Sequence, residues 1–317
     1  VTGSVEYFFR NTTDMLYYFP VPASLGYGGY YDNIGDMRNA GIELSVNYNI
    51  IRREGFNWSA YANLTHYKNK VTMIPAENKN TTVEGYKGFA SSTTFIGEGL
   101  PLNTFYMYKY AGVDYETGKG LYYYLAEDGS MQKTDIFADA DQFECGSVLP
   151  KLYGGFGTSL KVYGVDISAQ FSFQLGGRYY DGTYQALMHT SSGVGTAWHT
   201  DVLKSWSVEN PDSNIPRLDG DTSVGQTATD NYLISSNYLS INNITLGYTF
   251  PSSITDVMKI EQLRIYVAGD NLAVFSARKG VDPRYSMGLG SFTSGSGLNS
   301  GSYSAMRTIT AGVTLTF

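Results

Sequence analysis

The sequence predicts an all-β fold, in which antiparallel strands form a transmembrane β-barrel with lipid on its outer side. Three observations support this prediction. Long segments alternate apolar and polar residues, the chain is poor in charge and rich in aromatic residues, and short connections between strands alternate with long ones.

The composition is typical of a β-protein with few charged groups. Of the 317 residues, 16% are charged and 15% are aromatic, with 28 Tyr and 36 Gly, whereas an average soluble domain carries roughly 25% charged residues. The net charge of −7 and the lack of a basic run argue against nucleic-acid binding. Cys145 is the single cysteine, and its surroundings predict an inert thiol. No apolar stretch reaches the roughly 18 residues of a membrane helix, but a barrel strand needs only about ten alternating residues.

Alternation is clearest in the last segment of the chain. Ile309, Ala311, Val313 and Leu315 share one face with Phe317, and the intervening positions are threonines and a glycine. A period of two residues predicts strands with one apolar and one polar face. The same period runs through 41–50 and 165–175, and similar patterns run through 1–11, 56–67, 152–163 and 261–270.

Alternation alone does not say what the apolar face contacts, because a soluble sandwich also alternates with its apolar side inward. Two features favour lipid. The polar faces carry mostly Ser, Thr, Asn, Gln and Gly rather than Lys and Glu. Aromatic residues also gather beside the short connections, as expected for an aromatic girdle at a membrane interface. These aromatic residues are Tyr48, Phe56, Trp58, Tyr163, Phe250 and Phe317.

The connections are of two kinds. Short ones are expected at 51–56, 163–165 and 251–260, and long ones at about 12–38, 71–101, 176–237 and 273–304. A hairpin is expected from Leu102–Gly112 and Gly120–Leu125. The total is about ten strands, with short turns at one end and long extracellular loops at the other.

Several motifs resemble those of SusC/RagA-type TonB-dependent transporters. Asn33 to Glu43 matches the family signature Asn-x-Gly-x-x-x-Asn-x-Gly-x-Glu, and Gly146 to Gly155 is similar to its Gly-x-x-x-Pro-x-x-x-Gly-Gly segment. Further similar segments are Phe56 to Val71, Asn237 to Pro251, Leu263 to Leu272 and Gly280 to Pro283. The fragments occur in the family's order and extend over nearly the whole chain.

The resemblance implies an architecture. Residues 1–317 would form the C-terminal portion of a larger, plugged barrel of roughly 22 strands, because about ten strands cannot close it. The plug domain and the N-terminal barrel strands would lie outside this chain, and Val1 already falls within a strand-like pattern. Phe317 would be the C-terminal barrel-assembly signal at the periplasmic rim.

The resemblance also implies a function. The expected activity is TonB-dependent import of a bulky nutrient, an oligosaccharide or a peptide, across the outer membrane of a Gram-negative bacterium. The expected partners are a SusD-like surface lipoprotein, the TonB–ExbB–ExbD complex and outer-membrane lipids, with dimerisation of transporter–lipoprotein pairs as a further expectation. No cofactor is expected.

Two positions depart from the family pattern. The family commonly has an Arg two residues after the Tyr of its penultimate down-strand, where this chain has Ser240 after Tyr238. The apolar phase also slips between Ile241 and Ile244, which predicts a bulge near Asn242–Asn243.

Five aromatic residues in segment 176–237 are candidates for stacking on sugar rings. They are Trp198 and Trp206, with Tyr179, Tyr180 and Tyr184 behind them. The alternative is that these rings pack the segment against itself or against the SusD-like lipoprotein.

Other candidate sites are weaker. His66, His189 and His199 do not share ligand spacing, which argues against a zinc site. Asp282-Pro283-Arg284 is typical of a turn. Oxygen ligands for calcium could come from a short acidic stretch, although a solvated loop explains it more simply. That stretch contains Asp135, Asp139, Asp141 and Glu144.

No catalytic motif is found, so an enzyme is not expected. Two other function classes stay open. A secreted or surface carbohydrate-binding β-protein without transport activity would stay in solution without detergent and bury the Ile309–Phe317 face in protein. A smaller outer-membrane enzyme or passive pore would close with these strands alone and without a plug.

Overall fold

The computed structural model describes residues 1–20, 23–91, 93–102, 104–188, 195, 197–218, 228–285 and 305–317. Within these ranges the chain forms 18 strands and two short α-helices, α1 (Gly182–Leu187) and α2 (Ser252–Thr255). Over the described residues, no helix could span a membrane. The strands in chain order are β1 (Thr2–Pro20), β2 (Gly29–Arg53), β3 (Phe56–Met73), β4 (Thr81–Val83), β5 (Tyr86–Ser91), β6 (Thr94–Gly97), β7 (Thr104–Tyr108), β8 (Tyr110–Val113), β9 (Gly120–Leu125), β10 (Met131–Thr134), β11 (Gln142–Ser147), β12 (Leu152–Val162), β13 (Val165–Leu175), β14 (Arg178–Tyr180), β15 (Leu233–Ser235), β16 (Tyr238–Thr249), β17 (Gln262–Ser276) and β18 (Thr308–Thr316).

Eight long strands form the main sheet, in the order β1-β2-β3-β12-β13-β16-β17-β18. Every neighbouring pair is antiparallel, and the all-β prediction is confirmed. The expected count of about ten strands included the hairpin at 102–126. Only the part of that hairpin near its turn exists, as β8 paired with β9 in a separate three-stranded sheet. The rest of its expected first strand is β7, which pairs with β6 and β11 in the five-stranded sheet instead.

The register aligns the apolar positions of all eight strands on one side of the main sheet, here called the apolar face. Val5 lies opposite Leu44, which lies opposite Leu64. Further along the sheet, Ile167 lies opposite Leu246. Because side chains alternate strictly along a strand, one aligned row fixes the rows above and below it. The opposite side, here called the polar face, carries the hydroxyl and amide residues.

Many large side chains of the apolar face are exposed in this chain. Val5 is 76% exposed, Val313 is 65% exposed and Ile309 is 72% exposed. Soluble monomers rarely expose contiguous apolar patches of this kind, and such patches mark contact with lipid or with protein. The apolar face therefore requires a cover outside this chain.

Short connections lie at one end of the main sheet, here called the turn end. β2 and β3 are joined by Glu54–Gly55, and β12 and β13 are joined by Tyr163–Gly164. Both central residues of the second turn have positive φ, 45° and 92°, which matches the tight turn that suits a twisted hairpin. The connection from β16 to β17 contains α2. All three short connections expected from the sequence are confirmed.

The first expected long connection, 12–38, is wrong. β1 continues to Pro20 and β2 begins at Gly29, so the two strands form an extended ribbon. The Gly and Asn residues of this stretch are typical of loops, but the backbone groups of the stretch continue the ladder of hydrogen bonds. The predicted bulge is confirmed, because the pairing of β16 with both of its neighbours skips Asn242.

The segments expected as long loops at 71–101 and 176–237 form much of a packed layer at the other end of the sheet. This layer, here called the cap, comprises the described residues of 74–151 and 176–237. It contains a five-stranded sheet, β11-β7-β6-β5-β4, a three-stranded sheet, β10-β9-β8, and the pair β14-β15. Its largest core cluster consists of Phe105, Met107, Val148, Tyr180, Met188, Val202 and Tyr232. A second cluster joins the cap to β3 through Val71.

Candidate functional site

The polar face of the main sheet is the broadest candidate site. Its hydroxyl and amide side chains bond to one another along and across strands. Ser4 and Ser45 hydroxyls lie 2.9 Å apart, and Asn243 Nδ2 donates to Asp270 Oδ1 at 2.7 Å. Thr245 Oγ1 donates to Asn243 Oδ1 at 3.0 Å. Such groups offer donors and acceptors to a polar ligand without a strong net charge.

One ion pair spans the polar face near the turn end. Arg264 on β17 donates from Nε and Nη2 to the two carboxylate oxygens of Asp166 on β13, at 3.1 and 2.6 Å. β16 lies between these two strands, and the pair passes over Gly247. A Cβ at that glycine would lie 2.6 Å from Asp166 Oδ1. The glycine therefore leaves the space that the ion pair occupies.

Two tyrosine rings of the polar face lie over glycines of a neighbouring strand. Tyr61 on β3 is paired with Gly157 on β12, and Tyr266 on β17 is paired with Gly312 on β18. A Cβ at Gly157 would lie 2.6 Å from the Tyr61 ring, and one at Gly312 would lie 2.5 Å from the Tyr266 ring. The rings therefore lie close against the sheet. Neither tyrosine was predicted from the sequence, although a Tyr and a Gly at paired positions would have indicated both.

The departure at Ser240 has a structural counterpart. Ser240 is fully buried, and its Oγ accepts a hydrogen bond of 2.9 Å from Arg284 Nη1. Arg284 belongs to the connection after β17, and Nη2 donates to Asp282 Oδ2 at 2.6 Å. The turn expected at Asp282-Pro283-Arg284 is present as a 3-10 helix, Pro283–Tyr285. A guanidinium from a connection therefore reaches the wall position where the family commonly has an arginine.

Two of the five predicted aromatic residues lie in the core of the cap. Tyr179 is 2% exposed and Tyr180 is 9% exposed, and the Tyr180 ring packs edge-on against Tyr232 at 6.2 Å. Burial raises the pKa of the Tyr180 hydroxyl to about 12. Both rings therefore offer no open face to a ligand in this chain.

The other three aromatic residues keep accessible surface. Trp198 is 45% exposed. Trp206 is half-buried, and its Nε1 donates to the Tyr115 carbonyl at 3.1 Å, which ties it to the β8–β9 turn. Tyr184 on α1 is half-buried as well. Among the described residues, no ring contact or hydrogen bond joins these three to one another, so the structure brings the five candidates together only in part.

Tyr184 lies at the centre of a charged cluster. The Arg278 guanidinium stacks 3.4 Å from its ring centroid, and its hydroxyl donates to Asp201 Oδ2 at 3.0 Å. Arg278 Nε also lies 2.9 Å from Oδ2 of Asp181, which is buried. Burial raises the pKa of Tyr184, and Arg278 partly offsets that rise. The cluster connects the segment after β17 to the cap.

The acidic stretch considered for calcium binds other partners. Asp135 Oδ2 pairs with Lys119 at 2.8 Å, Asp141 Oδ2 accepts from the Leu125 amide at 2.8 Å, and Glu144 Oε1 accepts from the Gly146 amide at 2.8 Å. In the described part of the chain, no three His, Cys, Asp or Glu residues lie together as metal ligands. His66 lies on β3 and His199 lies in the cap, and His189 lies outside the described residues.

A polar cavity of about 380 Å³ lies within the cap. Lys109 and Arg178 supply positive charge, and Glu144 and Asp230 supply negative charge. Burial raises the pKa of Asp230, and the Tyr110 amide that donates to its Oδ1 at 2.8 Å lowers it in part. Cys145 also lines the cavity, and burial raises the pKa of its thiol to about 12, which fits the inert thiol expected from the sequence.

Comparison with known proteins identifies the fold and its relatives. Residues 1–142 match the family described as TonB dependent receptor-like, beta-barrel. TonB-dependent receptor P3 of Formosa agariphila is 28% identical over 330 residues, covering 99% of this chain and 32% of that protein. TonB-dependent receptor SusC of Bacteroides thetaiotaomicron is 24% identical over 296 residues, covering 91% of this chain and 28% of that protein.

The solved structures agree with these matches. The structure of the RagAB peptide transporter superposes with a TM-score of 0.82 at 25% identity, covering 99% of this chain and 33% of that chain. The RagAB peptide importer in its closed-closed state gives a TM-score of 0.80 at 26% identity, again covering 99% and 33%. The chain thus spans about a third of the length of its relatives. Together with the aligned apolar face and the alternation of short and long connections, these matches show that the chain is similar to the β-barrels of TonB-dependent receptors, among them SusC and the RagAB peptide transporter.

Proposed function

We propose that the full-length protein imports a bulky nutrient, an oligosaccharide or a peptide, across the outer membrane of a Gram-negative bacterium. The observation that carries this proposal is the continuous apolar face of the main sheet, which is backed by a face of hydroxyl and amide groups. A sheet of this kind separates lipid from a wet interior when it closes into a barrel. Residues 1–317 would supply part of the barrel wall and part of its extracellular loops.

The transport step would depend on partners. A plug domain elsewhere in the protein would block the lumen, the TonB–ExbB–ExbD complex would act on the plug, and a SusD-like lipoprotein would close the lumen from outside. The relatives that support this arrangement include SusC and the RagAB peptide transporter. Dimerisation of such transporter–lipoprotein pairs belongs to the same proposal.

The chemistry of the polar face suits a large neutral or weakly charged substrate. Its hydroxyls and amides can exchange hydrogen bonds with a passing sugar or peptide, and no dense charge would trap either. Tyr61, which is 37% exposed, can present a ring to such a substrate. Nothing in this arrangement requires catalysis, so the proposed role is transport alone.

We propose substrate contacts only for the three aromatic residues that keep accessible surface, Trp198, Trp206 and Tyr184. An aromatic ring stacked on a substrate contributes about 0.5–1.5 kcal/mol beyond its buried area. Trp198→Ala in the full-length protein should therefore weaken substrate binding by about two- to ten-fold. Leu203→Ala is the matched control, because Leu203 is 88% exposed in the same segment. Equal affinities of the two variants for every tested glycan and peptide would remove Trp198 from the proposed site.

Lipid exposure of the apolar face tests the proposal most directly. Val313 lies on the apolar face opposite Ile265, and Thr314 lies on the polar face opposite Arg264. Fluorophores at Val313→Cys and Thr314→Cys in the reconstituted full-length protein should differ, with quenching by bromolipids at the first site only. Shielding at Val313 with quenching at Thr314 would contradict transport and favour the secreted carbohydrate-binding protein.

Import is tested in the source bacterium. Deletion of the gene should abolish growth on one class of oligosaccharide or peptide, and the full-length gene should restore it. Normal growth of the deletion strain on every candidate nutrient, together with normal uptake of labelled nutrient, would contradict the proposal.

A further inference from the structure

Three cations lie on the apolar face at the cap end of the main sheet. Arg38 is on β2, and Lys68 and Lys70 are on β3; all three are exposed. The register sets Arg38 directly opposite Lys70, and Ala40 opposite Lys68. Because Ala40 and Arg38 continue the alternation that begins at Ile42, the three cations point to the same side as the apolar residues.

These cations are not neutralised by a neighbouring acid. Arg38 Nε donates to Asn11 Oδ1 at 3.2 Å, and its guanidinium lies 4.7 Å from the Phe9 ring centroid. Over the described residues, no carboxylate lies within ion-pair distance of Arg38, Lys68 or Lys70.

Like charges that lie directly opposite on neighbouring strands repel each other. Glu98, beside the Gly99 that Lys70 approaches, is already paired with Lys79 at 2.8 Å. The cluster therefore has unsatisfied affinity for an anion.

The distance of the three cations from the turn end of the sheet can be compared with the height of the apolar band of an outer-membrane barrel. Trp58 marks the aromatic row at the turn end, and Lys68 and Lys70 follow it by ten and twelve residues along β3. At about 3.4 Å per residue and a strand tilt of about 40°, these steps place the ammonium groups roughly 26–31 Å above the Trp58 level. The apolar band of an outer-membrane barrel is about 25 Å tall. The lysines therefore lie just beyond the band, where headgroups begin.

We infer that Arg38, Lys68 and Lys70 bind the phosphate groups of a phosphorylated glycolipid in the outer leaflet. This inference rests on the proposed function, because it needs lipid against the apolar face and the cap outside the cell. Lysine and arginine are the side chains that bind phosphate, arginine through its planar fork and lysine as a compact charge. Phe9 and the rest of the apolar face offer adjacent surface to the acyl chains.

The test uses the full-length receptor in nanodiscs of phosphatidylcholine that contain a small fraction of bisphosphorylated lipid A. The measured quantity is the apparent affinity for lipid A, from the lipid retained per receptor across a titration. The test variant is Lys68→Gln/Lys70→Gln. The matched control is Arg52→Gln/Arg53→Gln, which removes two exposed charges at the opposite end of β2. Dephosphorylated lipid A and inorganic phosphate are the two comparison ligands.

A cation near an anionic membrane surface contributes a factor of roughly five to binding, so loss of both lysines should weaken lipid A binding by about thirty-fold. The control variant should match the unaltered receptor, and dephosphorylated lipid A should bind weakly to all three proteins. Equal retention by the lysine variant would overturn the inference, as would equal binding of dephosphorylated lipid A. Displacement of lipid A by millimolar inorganic phosphate would show that the site binds free phosphate. That result would overturn the inference that a glycolipid is its ligand.

The bromolipid measurement at Val313 separates this inference from the proposed function. Quenching at Val313 together with charge-independent lipid A binding overturns only the headgroup site. Loss of quenching at Val313 overturns the proposed function, and the headgroup site with it.

Discussion

The contact between Arg278 and Asp181 is a buried point of attachment between the segment after β17 and the cap. Asp181 has two roles: its Oδ1 accepts from the Tyr184 amide at 3.0 Å and caps α1, while its Oδ2 lies 2.9 Å from Arg278 Nε. The Nε–H does not point at that oxygen, so the pair is an ion contact without a hydrogen bond. We predict that Arg278→Met is more damaging than Asp181→Asn.

The two partners differ in exposure, and this difference sets the free-energy cost expected for each substitution. The Asp181 side chain is 1% exposed and the Arg278 side chain is 28% exposed. Arg278→Met leaves a buried carboxylate without its cation, and removal of one partner of a buried pair costs about 3–5 kcal/mol. We expect about 3 kcal/mol, at the lower limit of that range, because the capping hydrogen bond remains. Asp181→Asn keeps the hydrogen bond from the Tyr184 amide and leaves a partly exposed arginine without its carboxylate partner. The expected cost is about 1 kcal/mol.

Native-state hydrogen exchange of α1 measures this difference locally. The Gln185 amide donates to the Asp181 carbonyl at 3.0 Å, so it exchanges when α1 opens. Arg278→Met should lower its protection by about a hundred-fold or more, and Asp181→Asn by about five-fold. The double variant Asp181→Asn/Arg278→Met should recover much of the loss, since no charge is then left buried. Amides of β13 serve as the internal reference.

The order of the losses of Gln185 protection among the three variants is what the measurement tests. If Asp181→Asn lowers the protection of Gln185 as much as Arg278→Met does, the buried carboxylate is not what makes the attachment necessary. If the double variant is worse than Arg278→Met alone, the arginine acts through its stacking on Tyr184 and not through its charge.

Three further predictions concern single positions. Gly247→Val should displace the Asp166–Arg264 pair and lower the thermal unfolding midpoint. Arg264→Gln should then be nearly neutral when it is added to Gly247→Val. Additive effects of the two substitutions on the midpoint would show that the pair survives in the Gly247→Val variant. Burial raises the pKa of Tyr122 to about 12, above the value near 10 of an unfolded tyrosine, so its contribution to stability is present below pH 10 and lost as the pH rises towards 12. Tyr122→Phe should therefore raise the pH of alkaline unfolding of the cap, followed by tyrosinate absorbance, and an unchanged midpoint would exclude Tyr122 as a contributor. Cys145, whose pKa is raised to about 12 by burial, should react with a maleimide at pH 8 only in denaturant, and equal rates with and without denaturant would show an open thiol.

The main sheet could be predicted from the sequence because one rule governs it. A strand with lipid on one side and a polar interior on the other must alternate along its whole length, as Ile309 to Phe317 does. Pairing then aligns each alternation with the next, since a shift by one residue would exchange the two faces.

The cap could not be predicted in the same way. Its core residues, such as Phe105 and Val148, come from short strands and turns that are distant in sequence and show no common period. Tyr179 and Tyr180 stand out as loop aromatic residues in the sequence, yet they are buried because this segment pairs with β15. The ribbon at 12–38 was missed for a related reason, as loop-like residues do not prevent strand pairing that their neighbours enforce.

The rings of Tyr61 and Tyr266, which rest on glycines, set how much room the interior keeps. A tyrosine standing upright on a strand extends by its full length from the polar face, whereas a ring lying along the sheet adds little more than the thickness of one carbon layer, about 3.5 Å. A methyl group at Gly157 or Gly312 would push the corresponding ring upright. If the sheet closes into a barrel as proposed, the interior would then narrow without the loss of a single strand, and these two glycines would act as spacers that keep it wide.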